Sequence, residues 1–155
     1  MIHKLTLLFF IFFIQQLFAD KIDIKAERFY ASDINKVAYF EGDAQIHQGK
    51  NQFFSDKIIV YFNNSKKAIK YEAIGNVRFD ITEKGIHYKG KAEKITYAPN
   101  DSKYYFSGDV VLEDLTNNRK IEAETISLDL KTGLADIKGG KEKPVHFRFE
   151  IEDRK

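Results

Sequence analysis

The stretch Ile69-Lys70-Tyr71-Glu72-Ala73-Ile74-Gly75-Asn76-Val77-Arg78-Phe79-Asp80-Ile81 decides the fold. Ile69, Tyr71, Ala73, Gly75, Val77, Phe79 and Ile81 keep one parity over thirteen residues, and Lys70, Glu72, Asn76, Arg78 and Asp80 keep the other. An apolar period of two describes a strand with one buried and one wet face. The alternation recurs along the chain. Ile58, Val60 and Phe62 share a face, as do Tyr104, Phe106, Gly108, Val110 and Leu112. Glu124, Ile126, Leu128 and Leu130 oppose Thr125, Ser127 and Asp129, and Val145, Phe147, Phe149 and Ile151 alternate with His146, Arg148, Glu150 and Glu152. No stretch after residue 20 carries a long apolar period of 3.6. The abundant Phe, Tyr, Ile and Val suit half-buried pleated surfaces. The chain is therefore all-β.

Gly75 opens a motif that recurs. Gly42-Asp43-Ala44-Gln45-Ile46, Gly75-Asn76-Val77-Arg78-Phe79 and Gly108-Asp109-Val110-Val111-Leu112 lie 33 residues apart, and Gly139 follows 31 later. A second element alternates with the first: Ala26-Glu27-Arg28-Phe29, Ser55-Asp56-Lys57-Ile58, Ala92-Glu93-Lys94-Ile95 and Ala123-Glu124-Thr125-Ile126. From its first residue to the next glycine is 16, 20, 16 and 16 residues. Fixed spacing of this kind marks a repeat architecture. Turn signals separate the strands at Asp33–Asn35, Gln48–Asn51, Asn63–Ser65, Pro99–Ser102, Thr116–Asn118 and Lys131–Gly133. The three glycines lie inside strands, where glycine marks a bend or a bulge. Bends at one step of every unit curve the sheet the same way each time, which predicts an open, V-shaped sandwich with an apolar interior.

The N-terminus reads as an export signal over residues 1–19. His3 and Lys4 precede an apolar run from Leu5 to Ile14, and Ala19 suits cleavage before Asp20. The run is short for a membrane span, which needs about 20 apolar residues. An uncleaved anchor is the other reading. Residues 20–155 then form one domain of 136 residues with 24 basic and 23 acidic side chains. Acids and bases alternate along it, unlike the basic patch of a nucleic-acid binder. The chain has no cysteine, so an exported form holds together without disulfides and carries no lipidated cysteine.

These features resemble the LptA/OstA-like family of lipopolysaccharide-transport proteins, over roughly residues 22–140. The Gly-Asn/Asp-Val-x-Phe and Ala/Ser-acid-Lys-Ile strands carry the resemblance through repetition, since neither motif is specific alone. It implies a twisted, semi-open antiparallel β-jellyroll of repeated short strands, with room here for about eleven to thirteen of them. It implies a periplasmic protein that holds the lipid A acyl chains of lipopolysaccharide inside. It implies partners too: inner-membrane anchored and outer-membrane components of the transport machine, and further copies docked head to tail. The anchored jellyroll component of the same pathway is an alternative if residues 5–18 remain in the membrane.

On this reading the inward face is a lipid site. Its candidates are Phe29, Phe40, Ile46, Ile58, Val60, Phe62, Tyr71, Val77, Phe79, Ile95, Tyr97, Tyr104, Phe106, Val110, Leu112, Ile126 and Leu128, with Ala44, Ile69 and Ile137 beside them. An ordinary packed core asks for the same pattern, so a structural β-solenoid module without lipid stays open. Unpaired strand edges at residues 22–30 and 145–151 offer interfaces through Ile22, Ile24, Val145, Phe147 and Phe149, because exposed edges recruit further strands. The acids Glu27, Asp56, Glu93 and Glu124 share parity with the apolar positions that follow them. They either sit at the rim and pair with bases such as Lys57 or Lys94, or meet cations bound to lipid phosphate. His3, His47, His87 and His146 lack ligand spacing. Nucleotide-loop, Gly-x-Ser-x-Gly and cysteine-nucleophile motifs are absent. No catalytic residue, cofactor or metal is expected; a secreted hydrolase would need a polar pocket.

Overall fold

The structure, a computed structural model, describes residues 22–83, 85–129 and 131–151; the expected signal over residues 1–19 lies outside them. The described residues form ten strands: β1 (Ile22–Lys25), β2 (Arg28–Ser32), β3 (Val37–Gln48), β4 (Asn51–Phe62), β5 (Ala68–Glu83), β6 (Ile86–Ala98), β7 (Lys103–Asp114), β8 (Arg119–Asp129), β9 (Leu134–Lys138) and β10 (His146–Phe149). All pair antiparallel in one sheet, each of β3 to β8 next to its sequence neighbours. Ten is fewer than the eleven to thirteen expected, because the central strands are long: β5 alone runs 16 residues.

Each long strand is folded in half at the repeated motifs. Gly42 and Asp43, Gly75 and Asn76, and Gly108 and Asp109 are consecutive pairs with positive φ, near +83° at glycine and +45 to +48° at the second residue. The left-handed region favours glycine and tolerates Asp and Asn. The ladder shifts register at every pair, between Glu41 and Ala44, Ile74 and Val77, and Ser107 and Val110. Four positions separate the buried residues on either side: Phe40 and Ala44, Ala73 and Val77, Phe106 and Val110. The intervening strands bend by the opposite device. Ser55 and Ile58, Ala92 and Ile95, and Ala123 and Ile126 are both buried though only three apart. The acid and its neighbour are both left outside, so Glu124 and the other repeated acids do not share the apolar parity.

Glu27, Asp56 and Glu93 sit at the bend, not at the rim. A Cβ on Gly42 would stand 2.6 Å from a carboxylate oxygen of Glu27, and one on Gly75 or Gly108 would strike Asp56 or Glu93. Each bulge glycine thus lies under the acid of the motif before it. The Glu27 amide donates to the Gly42 carbonyl at 2.9 Å, and the Asn76 side chain donates to Asp56 at 3.1 Å. Lys57 and Lys94 pair instead with Glu41 and Glu72. The fourth unit departs: β9 covers Thr125–Asp129 and β10 covers Arg119–Glu122, and the loop 139–145 between them stands where the bulge would be.

The bend closes the two halves of the sheet into a V. The crease is lined by small side chains, paired Ala44 with Ser55, Val77 with Ala92 and Val110 with Ala123, all buried. Away from the crease, apolar rows cross the sheet in register. One wall carries Ile24, Ile46, Phe53, Phe79, Gly90, Leu112, Ile121 and Phe147. The other carries Phe29, Phe40, Ile58, Ala73, Ile95, Phe106, Ile126 and Ile137. The outer face of the first wall has Asp23, His47, Gln52, Asp80, Lys89, Glu113, Lys120 and Arg148 in one row. Near-neighbours of opposite sign there favour this register over a slipped one.

At the β7–β8 turn the buried carboxylate of Asp114 accepts from the Asn117 amide at 3.0 Å, the Asn117 side chain at 2.9 Å and the Arg119 guanidinium at 2.5 Å. Burial alone would raise this carboxyl, but the donors outweigh it and hold it at about 2. A depressed folded-state value contributes stability above the ordinary Asp value of about 3.9, which is lost as pH falls through about 2. Thermal unfolding should therefore weaken over that window, and Asp114→Asn should remove its part of the decline. An unchanged acid limb would show that the turn does not hold the carboxylate.

Gly75→Ala places a Cβ against Asp56 at φ +84°, whereas Gly133→Ala, at φ +73°, meets nothing within 4 Å. Left-handed strain costs both about 1–2 kcal/mol. The clash should raise the loss at Gly75 to about 3 kcal/mol, read from urea midpoints. Equal losses would remove the acid from the bend.

Candidate functional site

The rows described above meet inside the V. Val60, Val77, Val110 and Ile126 are at most 2 % exposed. These four were expected to line a groove; they pack the interior of the wedge, as do Phe40, Ile58, Phe62, Ile95 and the buried parts of Phe79 and Phe106. Ile46, Tyr71, Tyr104, Leu112 and Leu128 are half-buried against this core, and Tyr97 is half-buried as well. Filled core and open groove therefore coexist inside the V.

A cavity of about 250 Å³ opens on the mouth side. Ile46, Phe53, Ile58, Tyr71, Ala73, Ile81, Ile95, Tyr97 and Tyr104 line it, with Gln48, Asn51 and Gln52 of the β3–β4 hairpin at its border. Phe53, Tyr71, Tyr97 and Tyr104 of this lining belong to a run of six aromatic rings completed by Phe79 and Phe106. Phe53 to Phe79 is 5.9 Å between centroids, Phe79 to Phe106 6.1 Å, Phe106 to Tyr104 6.2 Å, Tyr104 to Tyr97 4.4 Å and Tyr97 to Tyr71 6.1 Å. Burial raises the Tyr71 hydroxyl well above its ordinary value, so it stays neutral. A cavity of about 150 Å³ lined by Leu, Ile and Phe stays dry and takes benzene; this one is larger and equally apolar along most of its wall.

Phe53 and Ile81 were not among the expected site residues. Phe53 sits beside Phe54, and two adjacent phenylalanines hide the parity. Its pairing with Ile46 across the β3–β4 turn was the available signal. Ile69 leaves the site: Phe62 pairs with Ala68 and Tyr61 with Lys70, so Ile69 is bulged out and exposed.

The outer face near β5 carries one buried carboxylate, Glu72. Burial would raise it, but bonds from Lys94 at 2.8 Å, Tyr61 and Lys70 at 3.3 Å hold it low. It ties β5 to β6 behind the cavity. Burial and the Glu72 bond push the Tyr61 hydroxyl up to about 12. Among the described residues no group of three His, Asp or Glu is placed to hold a metal.

The edges differ from the expected pair of single strands. β1 and β2 together cover β3, and β9 and β10 together cover β8. Ile22 and Ile24 pair with Gln48 and Ile46, and Ile24 packs on the core. Phe29 packs on Phe40 at 4.8 Å but is 42 % exposed. Val145 lies just outside β10, and Val145, Phe147, Phe149 and Ile151 are all exposed. The expected buried face of residues 145–151 is bare, since among the described residues nothing stands opposite the last strand.

Residues 23–134 match the family described as LptA/(LptD N-terminal domain) LPS transport protein. Among solved structures, LptH of Pseudomonas aeruginosa, described as the LptA-homologous periplasmic component of the conserved lipopolysaccharide transport device, superposes with a TM-score of 0.67. The two chains are 13 % identical, over 84 % of this chain and 96 % of that one. No curated protein matches the chain by sequence. The matched segment runs from β1 to the start of β9 and takes in all three glycine–acid bends; the chain belongs to the LptA/LptD N-terminal domain family of lipopolysaccharide transport proteins.

Proposed function

We propose that this protein carries lipopolysaccharide across the periplasm, with acyl chains held between the walls of the V and copies joined head to tail. The carrying observation is that two apolar rows cross the sheet and each surfaces at one edge, one at Phe29 and the other at Phe147. A row that ends exposed continues when another sheet edge is added. Each methylene moved from water to such a face gains about 0.8 kcal/mol. An acyl chain is therefore held by summed apolar area, without a strong polar anchor, which suits handing on. Residues 1–19 act as the export signal and residues 20–155 as the periplasmic carrier. The ends dock with anchored inner-membrane and outer-membrane partners of the same β-edge design. The chain assists no covalent chemistry on this reading; direction comes from an energy source elsewhere.

A photo-reactive side chain at Tyr97, on the cavity wall, should label lipopolysaccharide, and the same group at Arg78, exposed on the outer face, should not. Labelling from Arg78 alone would place the lipid outside the V. Deleting residues 144–155 removes β10, and light scattering should then lose its rise with protein concentration. Undiminished association would remove the C-terminal edge from the bridge.

A further inference from the structure

The positive charge of the chain is gathered at one place. Residues 28–41 and 57–72 hold six basic side chains against three acidic ones, which leaves 18 against 20 for the rest of residues 20–155. These two segments are β2, the start of β3, the second half of β4 and the start of β5. They belong to the wall that carries Phe29, and their turns, 33–36 and 63–67, lie on its edge farthest from the crease.

Two features of this edge run against local preference. Lys36 and Lys66 stand at φ +55° and +62°, a conformation that glycine adopts freely and asparagine tolerates but that strains lysine. The left-handed residues of the next two turns along the edge are Ser102 and Gly133, so the lysines are confined to its N-terminal half. Isoleucines also face outward there. Ile34, in the first turn, is 92 % exposed, and Ile69, bulged out of β5, is 36 % exposed. The edge is nonetheless well bonded. The Phe62 amide donates to the Lys36 carbonyl at 2.9 Å, Lys66 lies 3.9 Å from Asp33, and the Asn63 side chain accepts from the Ser65 and Lys67 amides at 2.9 and 3.0 Å. Lys70, next to the Ile69 bulge, stands over the Tyr61 ring at 4.4 Å. Strain held in place by such bonding is a mark of function.

We propose that this edge rests on the surface of an anionic lipid bilayer. Lys36, Lys66, Lys67 and Lys70 meet lipid phosphates, and Ile34 and Ile69 enter the boundary between headgroups and acyl chains. Tyr61 lies at headgroup level, where its ring and hydroxyl each find a suitable medium. Charge alone would suit any polyanion. The outward isoleucines favour a bilayer, which offers them an apolar place that a polyanion in water lacks. On this reading the turns keep strained lysines because asparagine or glycine would relieve the backbone but supply no charge. The contact lies on a turn edge, apart from the apolar interior, and does not rest on the lipid-carrier reading.

The test is co-flotation of residues 20–155, which include all ten strands, with vesicles of phosphatidylcholine alone or mixed equally with phosphatidylglycerol. The unaltered protein should float with the mixed vesicles only and be released by salt. Lys36→Asn combined with Lys66→Asn should weaken binding about thirtyfold, at about fivefold per lysine. Its urea midpoint should not fall, because asparagine relieves both turns. Lys89→Gln combined with Lys120→Gln removes the same charge from the outer face of the other wall and should leave binding unchanged. Ile34→Ser should weaken binding about tenfold and keep its salt dependence. No binding to the mixed vesicles, or equal losses in the two lysine pairs, overturns the contact. Tighter binding to polyglutamate than to vesicles, with Ile34→Ser without effect, assigns the edge to an acidic protein and overturns it as well. Labelling from Tyr97 tests the carrier reading separately, and neither failure here bears on it.

Discussion

The contact between an acidic side chain and a bare glycine Cα holds the architecture together. Three times, a carboxylate lies over a bulge glycine, Asp56 and Glu93 from the strand paired with it and Glu27 from the link between β1 and β2. The bulge supplies an extra residue to one strand, and the acid motif withholds one from its partner. An ordinary antiparallel ladder tolerates neither change alone without losing register. Together they let two neighbouring strands turn the same corner with their apolar residues still facing inward. The glycines cannot carry a Cβ because the acid occupies that space, and the left-handed φ of the following Asp or Asn excludes most other side chains.

From that corner the interior follows by geometry. Walls that meet at a crease leave little room there and more room away from it. Alanine, serine and valine stand in the crease, with isoleucine and phenylalanine next to it. Beyond them filling is uneven: Ala38, Val60 and Phe62 keep the interior closed at β3 and β4, while Tyr71, Tyr97 and Tyr104 border the cavity. One molecule thus has both a stabilising core and a cavity without a separate domain for each.

The parts legible from the residue order are those that depend on near neighbours. The alternation, the turns, the fold class and the bend at Gly42, Gly75 and Gly108 are all local, and the structure has them where the pattern puts them. The role of Glu27, Asp56 and Glu93 was misread because their partner is a backbone atom on another strand. The skip of three between Ser55 and Ile58 was lost for a related reason, since a strand period assumes unbroken alternation. β9 was missed as an edge because Leu134-Ala135-Asp136-Ile137-Lys138 is short and mixed. The bare face of β10 was missed because burial depends on what stands opposite, and at the end of a stack nothing does. Whether a residue such as Val77 or Tyr97 meets core or cavity is set by the distance between walls, which no periodicity records.

The fourth unit ends without a bulge, and its loop 139–145 occupies the corner instead. The corner is thus modular: it can be terminated without disturbing the three before it. A unit of 33 residues contributes two strands, and neighbouring strands stand about 4.8 Å apart. Inserting one unit would lengthen the molecule by about 10 Å and leave both end surfaces as they are. Reach is therefore a whole-number property of this design, adjustable by duplication in fixed steps while the edge strands keep their chemistry.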